Sequence, residues 1–218
     1  MMFFGTAADR PVALAAIALA GLAAPLAAAT RYDGDGDVPS RLEALRRLIN
    51  RARYAPEQKA DRLSLTNTYA GGHPDYDCCE DTSLPNDFGT NATQWALWKA
   101  SKPPLALNAR LSNAASNHSS DMAQTDVLTH YSPSANYYPL NSAPWDRMTA
   151  EGYGWGACGE NVAAGTPIWF TPERAHRTLF VDSTVADRGH RKGILDYSMG
   201  YREIGLGTGQ SVVLQKTA

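Results

Sequence analysis

Apolar residues recur at helical spacing in three places along the chain. Leu42, Leu45, Ile49 and Ala52 fall on one face of a first helix. Ser40 opens that helix, Glu43 three residues on completes a capping box, and Pro56 stops it. A second helix begins near Asn108 and carries Leu111, Ala115, His118 and Met122 on one face. Thr171 caps a third, with Pro172 at its first position and Ala175, Leu179 and Phe180 inward. The period then changes. Glu203 to Gly207 and Val212 to Leu214 read as two strands of a β-hairpin turned around Thr208-Gly209. Helices come first and strands late, without strict alternation, which predicts an α+β layered domain rather than a doubly wound sheet.

Two stretches break this pattern. From about Asp61 to Pro104 the chain is polar and rich in glycine and proline, with a short apolar patch at Trp95, Leu97 and Trp98, and reads as a long ordered insertion. Near the start, Pro11 to Ala29 is almost purely apolar and ends Ala27-Ala28-Ala29 before Thr30, the small-x-small pattern of a cleaved secretory signal. A membrane anchor is the competing reading. Alanine supplies little transfer energy per residue and Pro25 sits near the end of the run, so the signal is preferred. The expected organisation is a signal peptide over 1–29, a leader over 30–39, and one domain over 40–218 with the insertion at about 61–104. The mature chain is then secreted, extracellular or in the cell envelope, with no transmembrane segment. Asp33-Gly34-Asp35-Gly36-Asp37 resembles the start of a calcium loop, but Val38 and Ala44 stand where glycine and glutamate are required.

Composition narrows the function. A chain of 218 residues, 44% hydrophobic and 19% charged, suits one domain with a sizeable core. A net charge of -2 and the lack of any nucleic-acid-binding motif exclude that partner class. Of three cysteines, Cys158 is expected to bridge to Cys78 or Cys79 in an exported protein. Asn91 and Asn117 head glycosylation sequons. No nucleophile elbow, zinc-protease helix motif or Walker loop occurs. Gly154 to Gly159 formally fits G-x-G-x-x-G, yet no buried strand precedes it, so a dinucleotide site is not expected.

Four segments in order carry a resemblance. They are Leu48-Ile49-Asn50-Arg51-Ala52-Arg53; Pro104 to Asn108 running through His118-Ser119-Ser120-Asp121-Met122 to His130; Gly152-Tyr153 with Cys158-Gly159-Glu160-Asn161-Val162; and Gly189-His190-Arg191-Lys192-Gly193 with Glu203 to Gly207. Together they resemble the CAP superfamily, or SCP domain, of cysteine-rich secretory, antigen 5 and pathogenesis-related proteins, in its bacterial form. The resemblance implies an α+β three-layer α-β-α sandwich with a small antiparallel sheet. It also implies a cleft lined by two histidines and two acidic residues. By motif these are His130, Glu160 and His190. The second acidic position falls on Ser183 if Phe180 is the core aromatic three residues before it, and on Asp182 if Leu179 is. The chain departs from the family in its long insertion and in ending at Ala218, before the aromatic-bearing end common to the final strand.

Neutral imidazoles bind zinc and similar divalent ions, and a nearby carboxylate serves as ligand, orienting partner or base. Two histidines, His130 and His190, predict weak and exchangeable metal binding, because catalytic zinc has three protein ligands as a rule. The glycines around Cys158 to Asn161 place Glu160 on a loop. Among the other histidines, His118 is expected in the core, His176 on a helix face near Ser183, and His73 without a partner. The preferred function is a secreted binding or interaction module whose cleft takes a small-molecule, lipid, cell-surface or wall-derived ligand. The alternative is a weakly metal-dependent, peptidase-like hydrolase with Glu160 as general base, the one catalytic candidate. The displaced second acid and the missing enzyme motifs favour the binding module.

Overall fold

A computed structural model describes residues 1–7, 38–63, 98–165, 171–182, 184–185, 188–195 and 199–209. Six helices of six residues or more and four strands lie in the described part: β1 (Met2–Ala7), α1 (Val38–Tyr54), α2 (Pro56–Arg62), β2 (Ala106–Leu107), α3 (Ala109–Thr125), α4 (Pro144–Ala150), β3 (Trp155–Asn161), α5 (Pro172–Val181), α6 (Gly189–Leu195) and β4 (Glu203–Leu206). The strands form one four-stranded sheet in the order β2-β4-β1-β3. The β1 pairings with β3 and β4 are antiparallel, whereas the short β2 runs parallel to β4. The sheet is therefore mixed rather than wholly antiparallel.

Helices cover both faces, which gives the α-β-α sandwich. On one face Leu45 and Ile49 of α1 and Leu179 and Phe180 of α5 meet Met2, Phe4, Ile204 and Leu206 of the sheet. On the other, Leu111, Ala114 and Ala115 of α3 and Met148 of α4 meet Phe3. A strand at the centre of such a sandwich is covered on both sides, so it needs apolar residues in succession rather than in alternation. Met2, Phe3 and Phe4 supply that run, at 1%, 0% and 0% exposure. This segment was expected to open the signal peptide. It is the middle of the sheet, and a cut after Ala29 separates it from the rest of the chain.

Local signals fix the helices. The Asn108 side chain accepts hydrogen bonds from the backbone N–H of Arg110 and Leu111 at 2.9 and 3.3 Å, and Thr171 Oγ1 accepts from Arg174 N at 3.3 Å, satisfying donors that a helix start leaves over. Helix α1 is already running at Val38, two residues before the Ser40 cap position. Glu43 is taken instead by Arg46 and Arg47, at 2.7 and 2.8 Å. Gly205 and Gly207 let α3 lie on β4, because a Cβ on Gly205 would enter the backbone of Leu111 and one on Gly207 that of Ala115–Ser116. One further element differs from expectation. The stretch around Gly159 and Glu160 is strand β3, not a loop. Strand β4 pairs with β1 along its length and with β2 at Glu203 and Ile204, and the Val212–Leu214 strand expected to form a hairpin with it lies outside the described residues. So do the Asp33–Asp37 motif and most of the 61–104 insertion.

Candidate functional site

The first half of the site is built where β3 meets α4. His130 Nδ1 lies 2.8 Å from Glu160 Oε1, and Arg147 Nη2 donates to Glu160 Oε2 at 2.7 Å. The Glu160 and Arg147 side chains are buried, at 1% and 0% exposure, while that of His130 is 47% exposed. Arg147 also donates to the carbonyls of His130, at 3.0 Å, and Ser142. One guanidinium therefore fixes both the carboxylate and the loop that carries the histidine. Glu160 accepts from the ring, so in the neutral tautomer Nδ1 holds the hydrogen and Nε2 keeps its lone pair.

The second half lies between α5 and α6. Asp182, just past α5 in the left-handed region at φ 53°, turns its carboxylate onto the start of α6. Its Oδ1 pairs with His190 Nδ1 at 2.8 Å, and its Oδ2 accepts the backbone N–H of His190 and Arg191 at 2.9 and 3.3 Å. The Gly-His-Arg segment thus has a physical division of labour. Gly189 begins the helix and His190 meets the acid. Arg191, fully buried, donates back to the carbonyls of Phe180 and Val181 at the end of α5. Asp182 therefore stands opposite His190, and Ser183 lies outside the described residues.

Strand β3 is an edge strand, and the site straddles it. Glu160 pairs with Phe3 and Asn161 with Met2, so successive residues turn to opposite faces. Glu160 reaches His130 on the α3–α4 face. Asn161 Nδ2 donates to His190 O at 2.9 Å on the other. No group of three or more histidine, cysteine or acidic side chains fit to hold a metal ion occurs among the described residues. Each histidine instead has one carboxylate on Nδ1, the arrangement that orients metal-binding imidazoles, and no protein partner for Nε2 appears among the described residues.

A cavity of about 560 Å³ adjoins this site and shares Asn161 with it. It lies between the start of α1, the end of α3 and the start of α5, and its walls include Leu42, Leu45, Met122, Leu128, Ala175 and Leu179. Arg41 and Asp126 are its charged lining residues. In the sequence all of these apolar positions except Leu128 read simply as helix core.

The remaining candidates fall elsewhere. His118 is fully buried on α3, with Nε2 3.0 Å from Thr129 O. His176 is fully buried and stacked on Phe180 at 5.6 Å, and neither of its ring nitrogens has a hydrogen-bond partner. Burial above all, then Lys59 and Arg51, hold its pKa well below the usual histidine range. Cys158 is a half-buried thiol on β3 with no disulfide partner among the described residues, and Cys78, Cys79 and His73 lie outside them. Burial first and Glu160 second push its thiol pKa up, away from the thiolate a nucleophile requires. Asn117 donates to Tyr138 Oη and Glu151 Oε1, each at 3.1 Å, so its amide serves the fold. Arg147, central to the site, gives no signal in the sequence, since one arginine in a polar stretch has no periodic or spaced partner.

No helix among the described residues is long and apolar enough to cross a membrane. No curated protein and no solved structure matches the chain significantly. The CAP profile, described as the cysteine-rich secretory protein family, matches residues 47–207. That range carries both histidine–carboxylate pairs and every described helix after the first turns of α1, and the chain belongs to the CAP family.

Proposed function

We propose that this CAP protein is a binding module for a slender apolar ligand of the lipid class, held in the cavity between α1, α3 and α5. The observation that carries the reading is the cavity itself: about 560 Å³, walled mainly by aliphatic side chains, next to a polar site. Pockets for small ligands run from roughly 300 to 1,000 Å³ with mostly apolar walls and a few polar groups. Proteins of this family are typically extracellular, where lipid and envelope ligands are available. Hydrolysis with Glu160 as general base has less support. Both carboxylate oxygens are engaged, by His130 and Arg147, and the group has almost no exposure to a water.

Titration with a fluorescent fatty acid tests the proposal. The wild type should bind it saturably, and Ala175→Trp, which fills the cavity, should lose binding while keeping a cooperative unfolding transition. Leu128→Glu, at a position 56% exposed, places a charge in the wall without disturbing the deep core. Absence of saturable binding by the wild type, or unchanged affinity in both variants, refutes it.

A second reading concerns a divalent ion such as zinc, and its support is the carboxylate on each histidine's Nδ1. His130 and His190 would hold the ion through Nε2, weakly for want of a third protein ligand, and it would supply Lewis-acid polarisation of a bound oxygen. Zinc titration should lose this binding in His130→Ala and in His190→Ala. Unchanged binding in both excludes a shared site.

A further inference from the structure

We infer that the gap between β3 and β4 is a strand-binding site, and that Met2–Ala7 occupies it through its own contacts rather than through its covalent link to α1. The strand is paired along both edges, from Met2↔Asn161 to Ala7↔Trp155 on one side and from Met2↔Leu206 to Gly5↔Glu203 on the other. Backbone bonds outside the ladders close both ends. Gly207 N donates to Met1 O at 3.1 Å, and Arg202 N to Gly5 O at 3.1 Å. These contacts are made by residues 1–7 themselves, and the chain is next described at Val38.

The site also selects its occupant by shape. Phe4 stacks on Tyr201 with ring centroids 5.6 Å apart. Phe3 packs with Leu111 and Met148 on the opposite face, under the Arg147 guanidinium at 5.8 Å. Gly5 lies against Tyr153, whose hydroxyl would be 2.6 Å from any Cβ at that position. The chemical class that fits is an extended segment with large apolar residues at three consecutive positions, then glycine. Main-chain pairing supplies the affinity and the flanking pockets supply the choice, as in other strand-addition complexes. Here the added strand is central, so its side chains are sealed on both faces.

This separates the strand's seat from its tether, which is where the sequence places a cleavage signal. A cut between Ala7 and Val38 in the folded protein leaves the segment in place as a bound peptide. Its departure instead bares two sheet edges at once, a state prone to pairing with other chains.

The test uses the full chain with a protease recognition sequence inserted between Asp9 and Arg10, folded first and then cut. The short fragment should co-elute with the remainder on gel filtration in native buffer, and the cut protein should keep a cooperative thermal transition. Labelled peptides covering residues 1–7 make the second measurement. The natural sequence should exchange into the cut protein, and the Gly5→Val peptide should do so at least ten times more weakly. Separation of the fragment on cutting, whatever becomes of the remainder, overturns the inference. Equal exchange of the two peptides does so as well.

Discussion

Replacing Arg147 by methionine should be among the costliest single changes in this protein. The side chain is fully buried and its guanidinium is the cationic partner of Glu160, itself only 1% exposed in its side chain. Methionine retains much of the volume but removes the charge. Glu160 then stays ionised in a dry site, or takes up a proton and weakens its hold on His130. Breaking a buried pair from one side costs about 3–5 kcal/mol, because the charge left behind loses its compensation. The carbonyl of His130 also loses its Arg147 donor, and that of Ser142 keeps only the Ser132 N–H at 3.0 Å. Against a total stability of roughly 5–15 kcal/mol for a domain, this is a fifth of the whole or more. A glutamate on a loop would suggest a smaller effect for Glu160→Gln, about 1–2 kcal/mol for one altered hydrogen-bonding group. Its place opposite Arg147 raises that expectation toward the ion-pair range. Removing both charges together, as Arg147→Met with Glu160→Gln, should cost clearly less than the sum of the single changes. Urea unfolding followed by far-UV circular dichroism measures all four proteins. An Arg147→Met loss below about 1 kcal/mol, or strict additivity in the double variant, refutes this account of the site.

Stability should also fall in mild acid. His118 and His176 are fully buried and burial holds both pKa values down, with Arg147 adding to the effect on His118. The unfolded chain takes up their protons near pH ~6.5 while the folded chain does not, so stability is full above that pH. Below it, each histidine removes about 1.4 kcal/mol per pH unit until the lowered folded pKa is reached. Urea midpoints at several pH values between 7.5 and 5.5 should show the loss, with a shallower slope in His176→Phe; equal slopes would contradict it. The α3–β4 contact makes a separate prediction. Gly205→Ala drives a Cβ into the Leu111 backbone, which cannot swing aside, and should cost at least the 1–3 kcal/mol usual for overpacking. Gly154→Ala, with nothing within 4 Å, is the control and should lie within about 0.5 kcal/mol of wild type. Equal losses at the two positions would remove the packing argument.

What the sequence disclosed follows from how local each signal is. Asn108 and Thr171 cap their helices with their own side chains, and Leu111, Ala115 and Met122 repeat at helical spacing, so α3 and α5 are legible within a short window. His130, Glu160 and His190 are recognisable because they sit in segments resembling a family. Strand β3 is not legible, since Gly154, Gly156 and Gly159 read as turn residues. The structure gives Gly159 another purpose: a Cβ there would lie 2.7 Å from the Tyr201 hydroxyl. Strand β1 is hidden for a different reason. A strand buried on both faces has no alternation, and Met2-Phe3-Phe4 merges with the apolar run that begins at Pro11. The choice between Asp182 and Ser183 depends on whether Leu179 or Phe180 is taken as the core position three residues before it, and a shift of one residue changes the answer. The structure ends α5 at Val181, which leaves Asp182 free to reach both His190 and the first N–H groups of α6.

The same geometry bears on what kind of chemistry the site can perform. Each carboxylate is committed to the fold as well as to its histidine. Glu160 is the anion that keeps Arg147 tolerable in the core, and Asp182 supplies the acceptor for two backbone donors at the start of α6. Proton transfer through either acid would require giving up those bonds at the moment of reaction, a poor design for a general base. The imidazole Nε2 atoms carry no such obligation. They are held in orientation by their Nδ1 partners, and His130 is the more open of the two, at 47% side-chain exposure against 24%. On the proposed reading, the apolar cavity would take the body of the ligand, and Asn161, the residue the cavity shares with this site, would be the contact between the two.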